Sequence, residues 1–401
     1  MKKLSKIVLF FCLYNFVAVL GQLYAADATE YIKVFFNQPE SASPSRSSIA
    51  NPDKGIDDAL VDFIQTAESG DKVYLCFYSS TTDKVTDAIN SCAVKVGNGN
   101  IFHIMEEASG NSDNNAVDDP GIYNITNAID DGYEAAGNPS LMHNKFAVVI
   151  NTLSQTGRVW TGSYNPTSNG TFENNNNAVW IESYDLAKLY ADEFIYMYNG
   201  GTGKFSSNKS TSSNTAKTVT VGEDTIEVYF SPYPGENSTN TSVKLEELID
   251  NAQHSVFFCM FTFSDDETRL KNALIDAHGR GIEVKGIVEA RQSYEIQSEF
   301  RTSSMDVVLD ANESSLHHKF CIIDYGSDNP AVVTGSYNWT LSARDSNDEN
   351  FLIIYSKEVS QLFWEEFQKD YALAGGVSSY GGNEAVSDVL VYPSPAKDAD
   401  Y

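Results

Sequence analysis

The sequence has 401 residues, which is long enough for two domains or for one large duplicated domain. It carries 27 Lys and Arg residues against 55 Asp and Glu residues, a formal net charge of −28. A surface this acidic repels polyanions at long range, so the charge counts against a protein that tracks along DNA through many cationic contacts. The charge does not exclude local attraction of a polyanion to a site that has its own lysines.

Residues 1–26 are typical of a secretory signal peptide. Three lysines precede an apolar stretch of moderate length, which ends in small residues. The alternative is an uncleaved N-terminal helix. We expect the segment to be removed and the protein to be secreted, periplasmic or at the cell surface. Because Lys2, Lys3 and Lys6 leave with the segment, the charge then becomes −28 − 3 = −31.

Strand and helix patterns alternate through the first half of the chain, residues 27–200. YIKVFF (31–36) and DKVYLCFY (71–78) predict strands. Between them, residues 55–69 have apolar side chains at helical spacing. A second helix is predicted at the end of this half, over LAKLYADEFIYMYNG (186–200).

The second half, residues 223–375, repeats this order. Strands are predicted over 225–230, 254–263 and 282–289, and helices over 243–253, 267–281 and 359–375. Strands that alternate with helices and return to one sheet indicate an α/β fold in each half. The sequence therefore predicts a duplicated α/β protein.

Four segments lie between or beyond these elements. Residues 201–222 are rich in Gly, Ser, Thr and Lys and are interpreted as a linker. Residues 376–401 resemble the start of a C-terminal export or sorting domain and are either an unpaired tail or a docking strand. The acidic, Gly- and Asn-rich stretch 106–141 is either a wall of a substrate pocket or disordered. The facing stretch, 290–315, holds Arg291 and Arg301, which either meet a substrate or are solvated.

The cysteines predict no metal site. Cys76 and Cys259 occupy matching positions in the two halves, and with Cys321 they are expected to be small buried side chains. A disulfide between Cys76 and Cys92 stays open. Cys12 leaves with the signal segment, and no Cys/His cluster has metal-ligand spacing.

The most informative stretch runs from 316 to 355. His317 and Lys319 lie two apart on a strand pattern, so their side chains share a face while His318 points away. Asn338 follows within a Gly-Ser-x-Asn motif on the next strand. Lys and Asn side chains can hold phosphate oxygens, and an imidazole can attack phosphorus or move a proton.

A second copy of this pattern lies upstream, with His143, Lys145 and Asn165. The two histidines are 317 − 143 = 174 positions apart, and Asn177 and Asn350 are 350 − 177 = 173 apart. A period this long indicates two duplicated halves rather than a solenoid. A single His-x-Lys is common, but two copies, each followed by GSYN, predict a functional site.

These paired motifs resemble those of the phospholipase D superfamily, in which two HxKxxxxD motifs with GSxN meet across a pseudo-twofold axis. The second copy fits throughout, including Asp324. The first copy departs twice, with Ile150 at the aspartate position and Asn176 where the second half has Glu349. The resemblance implies two α/β/α halves packed about the pseudo-twofold axis and one shared active site.

The resemblance also implies a role for each motif residue. Glu349 would hold His143, the nucleophile, and Asn176 would hold His317, the general acid and then base. Lys145, Lys319, Asn165 and Asn338 would bind the phosphate, with hydroxyl or backbone donors from Ser163 and Ser336. Asp324 would be a structural hydrogen-bonding residue. No cofactor or metal is expected, because the lysines supply the positive charge; His103, His254, His278 and His318 are left as structural.

The substrate class is the question that the sequence leaves open. The charge favours a phospholipid head-group phosphodiester, with transient contact with a membrane surface and a monomer that carries both halves. The alternatives are an endonuclease or phosphodiesterase that acts on nucleic acid, from the same superfamily, and a catalytically inactive binding protein.

Overall fold

The structure is a computed structural model that describes residues 31–37, 55–106, 125, 127–131, 139–198, 205, 217–232 and 240–376. The predicted signal segment and tail, and most of the linker and of the stretch 106–141, lie outside these residues. Their assignments therefore stay predictions.

The first half is built on a seven-stranded mixed sheet. Its strands are β1 (Ile32–Phe36), β2 (Lys72–Phe77), β3 (Ile101–Met105), β4 (Ala128–Asp130), β5 (Lys145–Asn151), β6 (Thr156–Gly162) and β8 (Asn177–Glu182), in the order β1-β8-β6-β5-β2-β3-β4. The helices described are α1 (Ile56–Gln65), α2 (Asp83–Val96), α3 (Ser168–Phe172) and α4 (Tyr184–Met197), with a 3-10 turn at Asn98–Asn100.

The second half is built on an eight-stranded sheet. Its strands are β9 (Lys217–Val221), β10 (Asp224–Ser231), β11 (Ser255–Met260), β12 (Glu283–Val288), β13 (Asp306–Leu309), β15 (Lys319–Ile323), β16 (Ala331–Gly335) and β17 (Glu349–Tyr355), in the order β13-β12-β11-β15-β16-β17-β10-β9. The helices described are α5 (Thr241–Asn251), α6 (Thr268–Gly279), α7 (Tyr294–Thr302), α8 (Leu341–Asp345) and α9 (Lys357–Leu373).

Without the edge strand β9, the two sheets have the same topology. Strand β10 corresponds to β1, β17 to β8, β16 to β6, β15 to β5 and β11 to β2. The duplicated α/β fold predicted from the sequence is confirmed, and each predicted helix is present to within a few residues.

The structure has three apolar cores, one within each half and one between them. One packs α1 and α2 against the outer face of the first sheet, and another packs α5, α6 and α7 against the outer face of the second. The third is shared: α4, α9 and the inner faces of both sheets meet in it. Burial of these β-branched and aromatic side chains is the main favourable term in folding and fixes how the halves face each other.

Short parallel pairings connect the halves at the sheet ends. β7 (Asn174–Asn175) pairs with β14 (Ser315–Leu316), and Met142 forms the corresponding bridge to Asp348. In each case the residue before a motif histidine pairs with the other half. The pairings place the two histidine motifs at one junction.

The predicted linker is wrong at its C-terminal end. Residues 217–221 form β9, which pairs with β10 in antiparallel register. The alternation of Thr and Val in KTVTV gives one face that can cover the core and one that meets solvent, the pattern of an edge strand. The sequence did not predict this strand, because its Lys and Thr residues continue the polar composition of the segment before it.

The described cysteines Cys76, Cys92, Cys259 and Cys321 are buried thiols that form no disulfide, which confirms the prediction made for Cys76, Cys259 and Cys321. Cys76 belongs to the core shared by the two sheets, and Cys92 packs in the outer core beside α1 and α2. The open alternative of a Cys76–Cys92 disulfide is therefore wrong, because the first sheet separates the two thiols. Among the described helices, none combines the length and the apolar character needed to cross a membrane.

Candidate active site

The motif histidines are fixed by backbone hydrogen bonds that cross between the halves. The amide of His143 donates to the carbonyl of Asp348 at 2.9 Å, and that of His317 donates to the carbonyl of Asn175 at 2.9 Å. Both histidines immediately precede a central strand, β5 or β15. The paired geometry gives each imidazole the same position in its own half.

Side chains cross the junction in the same way. Nδ1 of His143 lies 2.8 Å from Oε1 of Glu349, and Nδ1 of His317 lies 2.7 Å from Oδ1 of Asn176. The pairing expected from the resemblance is therefore confirmed. One imidazole has a carboxylate partner and the other an amide partner, so the duplicated site is chemically asymmetric.

The two lysines lie within the same pocket as the histidines. Nζ of Lys319 is 3.2 Å from Nε2 of His317, and Nζ of Lys145 donates to the backbone carbonyl of His143 at 2.7 Å. Both ammonium groups are buried. Burial lowers the pKa of Lys145 to about 7 against the opposing effect of Glu349, and burial and Lys145 lower the pKa of Lys319 well below its ordinary value.

Both motif imidazoles have pKa values well below the ordinary histidine value. Burial is the main cause, and the positive charges of Lys145 and Lys319 add to it for both rings. An anion in this pocket would oppose the same charges and favour protonation. The protonation of both rings would therefore change if an anion bound beside the two lysines.

Two aromatic side chains that sequence reasoning missed border the imidazoles. The ring of Tyr78 lies 5.0 Å from that of His143 and 5.0 Å from Nζ of Lys145; Phe261 lies 4.6 Å from His317 and 4.8 Å from Nζ of Lys319. Both rings are half-buried. The sequence contained a signal for both aromatic residues, because each follows a matched cysteine, Cys76 or Cys259, by two residues.

The glycines of the GSYN motifs are required by close packing. A Cβ on Gly162 would lie 2.2 Å from the carbonyl oxygen of Asn177, and one on Gly335 would lie 2.3 Å from that of Asn350. Only glycine allows the strands to approach so closely there. The turn that follows presents Asn165 and Asn338, whose buried Oδ1 atoms accept no hydrogen bond from the described part of the chain.

The expected role of Ser163 as a phosphate donor is corrected by its contacts. Its hydroxyl donates to Oδ1 of Asn176 at 3.0 Å and its amide donates to the carbonyl of Asn177 at 2.9 Å, so both donors are occupied. Ser336 gives its amide to the carbonyl of Asn350, and its hydroxyl oxygen accepts from the amide of that residue, so its role as a hydroxyl donor stays a prediction. Both serines are fully buried and position the residues beside the histidines.

Asp324 is remote from the imidazoles, at the far end of β15. Its carboxylate accepts backbone N–H groups of Gln253, His254 and Ser255 at 2.7 to 3.2 Å. In the first half, the side chain of Asn151 occupies the corresponding strand end, and its amide donates to Asp71 at 2.9 Å. The expectation that the motif aspartate is structural is confirmed, which explains why Ile150 in its place leaves the site intact.

Polar side chains beneath the site connect the halves in matched pairs. Asn177 donates to Thr334 at 2.7 Å across the junction, and in the matched pair Thr161 donates to Asn350 at 2.6 Å, so both donors belong to the first half. All four residues are buried. Since buried polar groups must be satisfied, this network specifies one docking arrangement of the halves.

A separate cluster of metal-ligating side chains lies behind the site. The described residues place His318 beside Glu366 and Asp370, all buried. Sequence reasoning missed this cluster, because Cys/His spacing does not reveal a histidine on a strand that meets two carboxylates on a distant helix.

Comparison with known proteins finds the same domain family in both halves. The family described as "Cardiolipin synthase, PLD-like domain" matches residues 60–198 and 245–371. Among curated relatives, "Mitochondrial cardiolipin hydrolase" of Xenopus tropicalis is 31% identical over 141 residues, covering 34% of this chain and 63% of its own. "Phospholipase D" of Rickettsia conorii is 30% identical over 122 residues, covering 30% and 58%. The chain thus spans less than two thirds of the length of these relatives.

Among solved structures, phosphatidylserine synthase from Haemophilus influenzae Rd KW20 has a similar fold. Its TM-score is 0.55 at 13% identity, and the match covers 88% of this chain and 90% of the other. At this identity the likeness concerns the fold alone, and it extends over both halves.

Proposed function

Because this chain belongs to the phospholipase D-like family, we propose that it is a phosphodiesterase that hydrolyses the head-group phosphodiester of a phospholipid through a phosphohistidine intermediate. The observation that carries the proposal is the crossed pair of hydrogen bonds, Glu349 to His143 and Asn176 to His317. The relatives named cardiolipin hydrolase and phospholipase D support a lipid as substrate.

His143 is proposed as the nucleophile. A carboxylate that accepts the Nδ1 proton leaves the lone pair on Nε2 and stabilises the positive charge that develops as this nitrogen attacks. In the first step a bond forms from Nε2 to phosphorus, and the bond from phosphorus to the leaving oxygen breaks. Glu349 is fully buried, so water does not screen its charge and its effect on the ring is stronger.

His317 is proposed as the general acid and then the base. The amide of Asn176 orients its ring without a negative charge, so the imidazolium gives up its proton more readily. That proton goes to the leaving oxygen. His317 then takes a proton from water, or from an alcohol, whose oxygen bonds to phosphorus as the bond to His143 breaks.

The phosphate oxygens would be held by Lys145, Lys319, Asn165 and Asn338. Bound phosphate carries negative charge, which opposes the effect of the lysines on the imidazoles and raises the pKa of His317. Preorganised donors of this kind stabilise charge that develops on equatorial oxygens in the transition state. Catalysis would proceed by these side chains alone.

The function is tested by parallel assays on bis(p-nitrophenyl) phosphate, cardiolipin or phosphatidylcholine vesicles, and plasmid DNA. We expect turnover of the first substrate and of at least one lipid, and loss of both in His143→Asn. The exposed His254→Asn is the matched control and should retain activity. Plasmid cleavage that outpaces lipid turnover would instead indicate a nuclease, and no turnover of any substrate would indicate a binding protein.

Export is proposed as a second, independent property, supported by the lysines and the apolar stretch within residues 1–26. The mature chain would begin near residue 27. The mass of the intact protein recovered from outside the cytoplasm tests this; retention of the full-length mass would overturn it.

A further inference from the structure

The cluster of His318, Glu366 and Asp370 lies between the halves, behind the active site. His318 lies between His317 and Lys319 in the chain, but its ring turns to the opposite face and packs against Phe36 and Phe320. Its position links the cluster covalently to the strand that carries the catalytic pair.

The three side chains converge at distances suited to a metal ion. Nε2 of His318 is 3.3 Å from Oδ2 of Asp370 and 3.7 Å from Oε1 of Glu366, and all three atoms lie within 4.8 Å of one another. Ligand atoms bound to tetrahedral zinc at about 2.0–2.2 Å are about 3.3–3.6 Å apart. Within the described part of the chain, neither Nε2 of His318 nor Oδ2 of Asp370 has a hydrogen-bond partner of suitable geometry.

Groups around the cluster orient its members in the way that surrounding residues orient metal ligands. Nδ1 of His318 lies 3.3 Å from Oδ1 of Asn177, which fixes the tautomer that leaves Nε2 for a ligand. The second oxygen of Glu366 accepts from Lys369 at 3.0 Å, so Oε1 faces His318.

The first half has the same arrangement without two of the three ligands. Asn144 lies 318 − 144 = 174 positions before His318, and Met197 lies 370 − 197 = 173 before Asp370. In that half the amide of Asn144 contacts the sulfur of Met197 at 3.7 Å. The imidazole and the carboxylate therefore replace a neutral pair at matched positions, while Glu193 and Glu366 occupy the third position in both halves.

We propose that His318, Glu366 and Asp370 bind one divalent transition-metal ion, of the zinc class. Two carboxylates and a neutral imidazole balance a doubly charged cation, and a water molecule would complete the coordination. The imidazole disfavours calcium and magnesium, which prefer oxygen ligands. The ion would lock α9 to the start of β15 and would take no part in the chemical steps.

The test is made on the full chain expressed with and without added zinc. Metal content after gel filtration, the Tm with and without zinc, and the visible absorption bands of a cobalt-loaded sample are measured. We expect about one equivalent of zinc, a Tm several degrees higher with metal, and cobalt bands typical of tetrahedral coordination.

The chain supplies its own matched control, the double variant His318→Asn with Asp370→Met, which copies the first half. It should retain no zinc and show no response of Tm to zinc. If this variant does not fold, Asp370→Asn, which keeps the side-chain volume, should weaken zinc retention at least tenfold. Absence of zinc, cobalt bands and a Tm shift in the unaltered protein would overturn the proposal, as would equal zinc binding in the variants.

The competitor for the metal in this cluster is a proton. A proton on His318 would lie between the carboxylates of Asp370 and Glu366, in the place that the metal would take. A cluster occupied by a proton only would show none of the metal responses.

Discussion

The two halves share one topology, but they differ in the groups that hold their histidines. The first-half histidine, His143, is held by a second-half carboxylate, Glu349, whereas the second-half histidine, His317, is held by a first-half amide, Asn176. Duplication supplies two similar rings at one junction. A difference of one carboxylate is sufficient to favour different roles for them, because it changes which ring best carries positive charge.

The largest expected effect separates the two histidines. His143→Asn should lower turnover of bis(p-nitrophenyl) phosphate by about 10⁴-fold or more, because it removes the nucleophile. His317→Asn should instead give one burst of p-nitrophenol and then stall, since this leaving group needs little protonation while breakdown of the intermediate needs a base. Stopped-flow absorbance measures the burst.

Acid quench followed by peptide mass spectrometry identifies the trapped species in His317→Asn. A phospho-adduct on His143 supports the assignment of roles. An adduct on His317 in the His143→Asn variant would reverse it.

A smaller effect is expected when the asymmetry itself is removed. Glu349→Gln gives both imidazoles an amide partner and should lower kcat by about 10²-fold, because the charge on His143 is no longer compensated. Steady-state kinetics with bis(p-nitrophenyl) phosphate measures the loss. Glu295→Gln, on the exposed side of α7, is the matched control, and an equal loss in both variants would contradict the role given to Glu349.

The halves also differ in a buried carboxyl pair at the edge of the site. Burial and the adjacent Asp131 raise the pKa of Glu106 to about 9, and its carboxyl accepts the amide of Met142, next to His143. Its second-half counterpart, Glu289, accepts instead from the amides of Arg291 and Gln292. In the second half, burial and Glu289 raise the pKa of the neighbouring Asp310 only to about 6. At neutral pH the first-half pair is therefore the one that keeps a proton.

This difference predicts a pH-dependent stability with a definite sign. The folded state keeps a proton on Glu106 that the unfolded chain loses near pH 4.3, so the stabilisation from this proton falls as pH rises toward about 9. Glu106→Gln should flatten the decline of Tm between pH 6 and 9. Glu289→Gln leaves the Glu106–Asp131 pair in place and should keep the original decline of Tm with pH. An unchanged decline in Glu106→Gln would show that Glu106 does not hold this proton in the folded state.

The smallest expected effect concerns the motif aspartate. Asp324→Asn keeps a residue type that tolerates the observed φ of 53° but weakens three backbone contacts. The variant should lose about 1 kcal/mol of stability with kcat within about twofold of the original. Urea unfolding measures the loss of stability, and steady-state kinetics measures kcat. Asn151→Ala in the first half is the comparison, and a large loss of kcat in either variant would show that this end of the strand affects the site.

The sequence by itself determined the duplication, the α/β class and the histidine and lysine pairs that meet at the junction. Repeated motifs 173 and 174 positions apart are visible without coordinates, and strand periodicity alone placed Lys145 and Lys319 on the face of their histidines. The burial of Cys76, Cys259 and Cys321 followed from their apolar strand context. These properties are local or periodic, so a linear pattern records them.

Only the tertiary structure decided which groups meet across the junction. The hydroxyl of Ser163 is directed at Asn176 rather than at a ligand, Tyr78 and Phe261 border the rings, and KTVTV is an edge strand rather than linker. His318 meets Asp370 because α9 packs between the two sheets. Such contacts join residues far apart in the chain, and they depend on how whole faces pack, which no local propensity specifies.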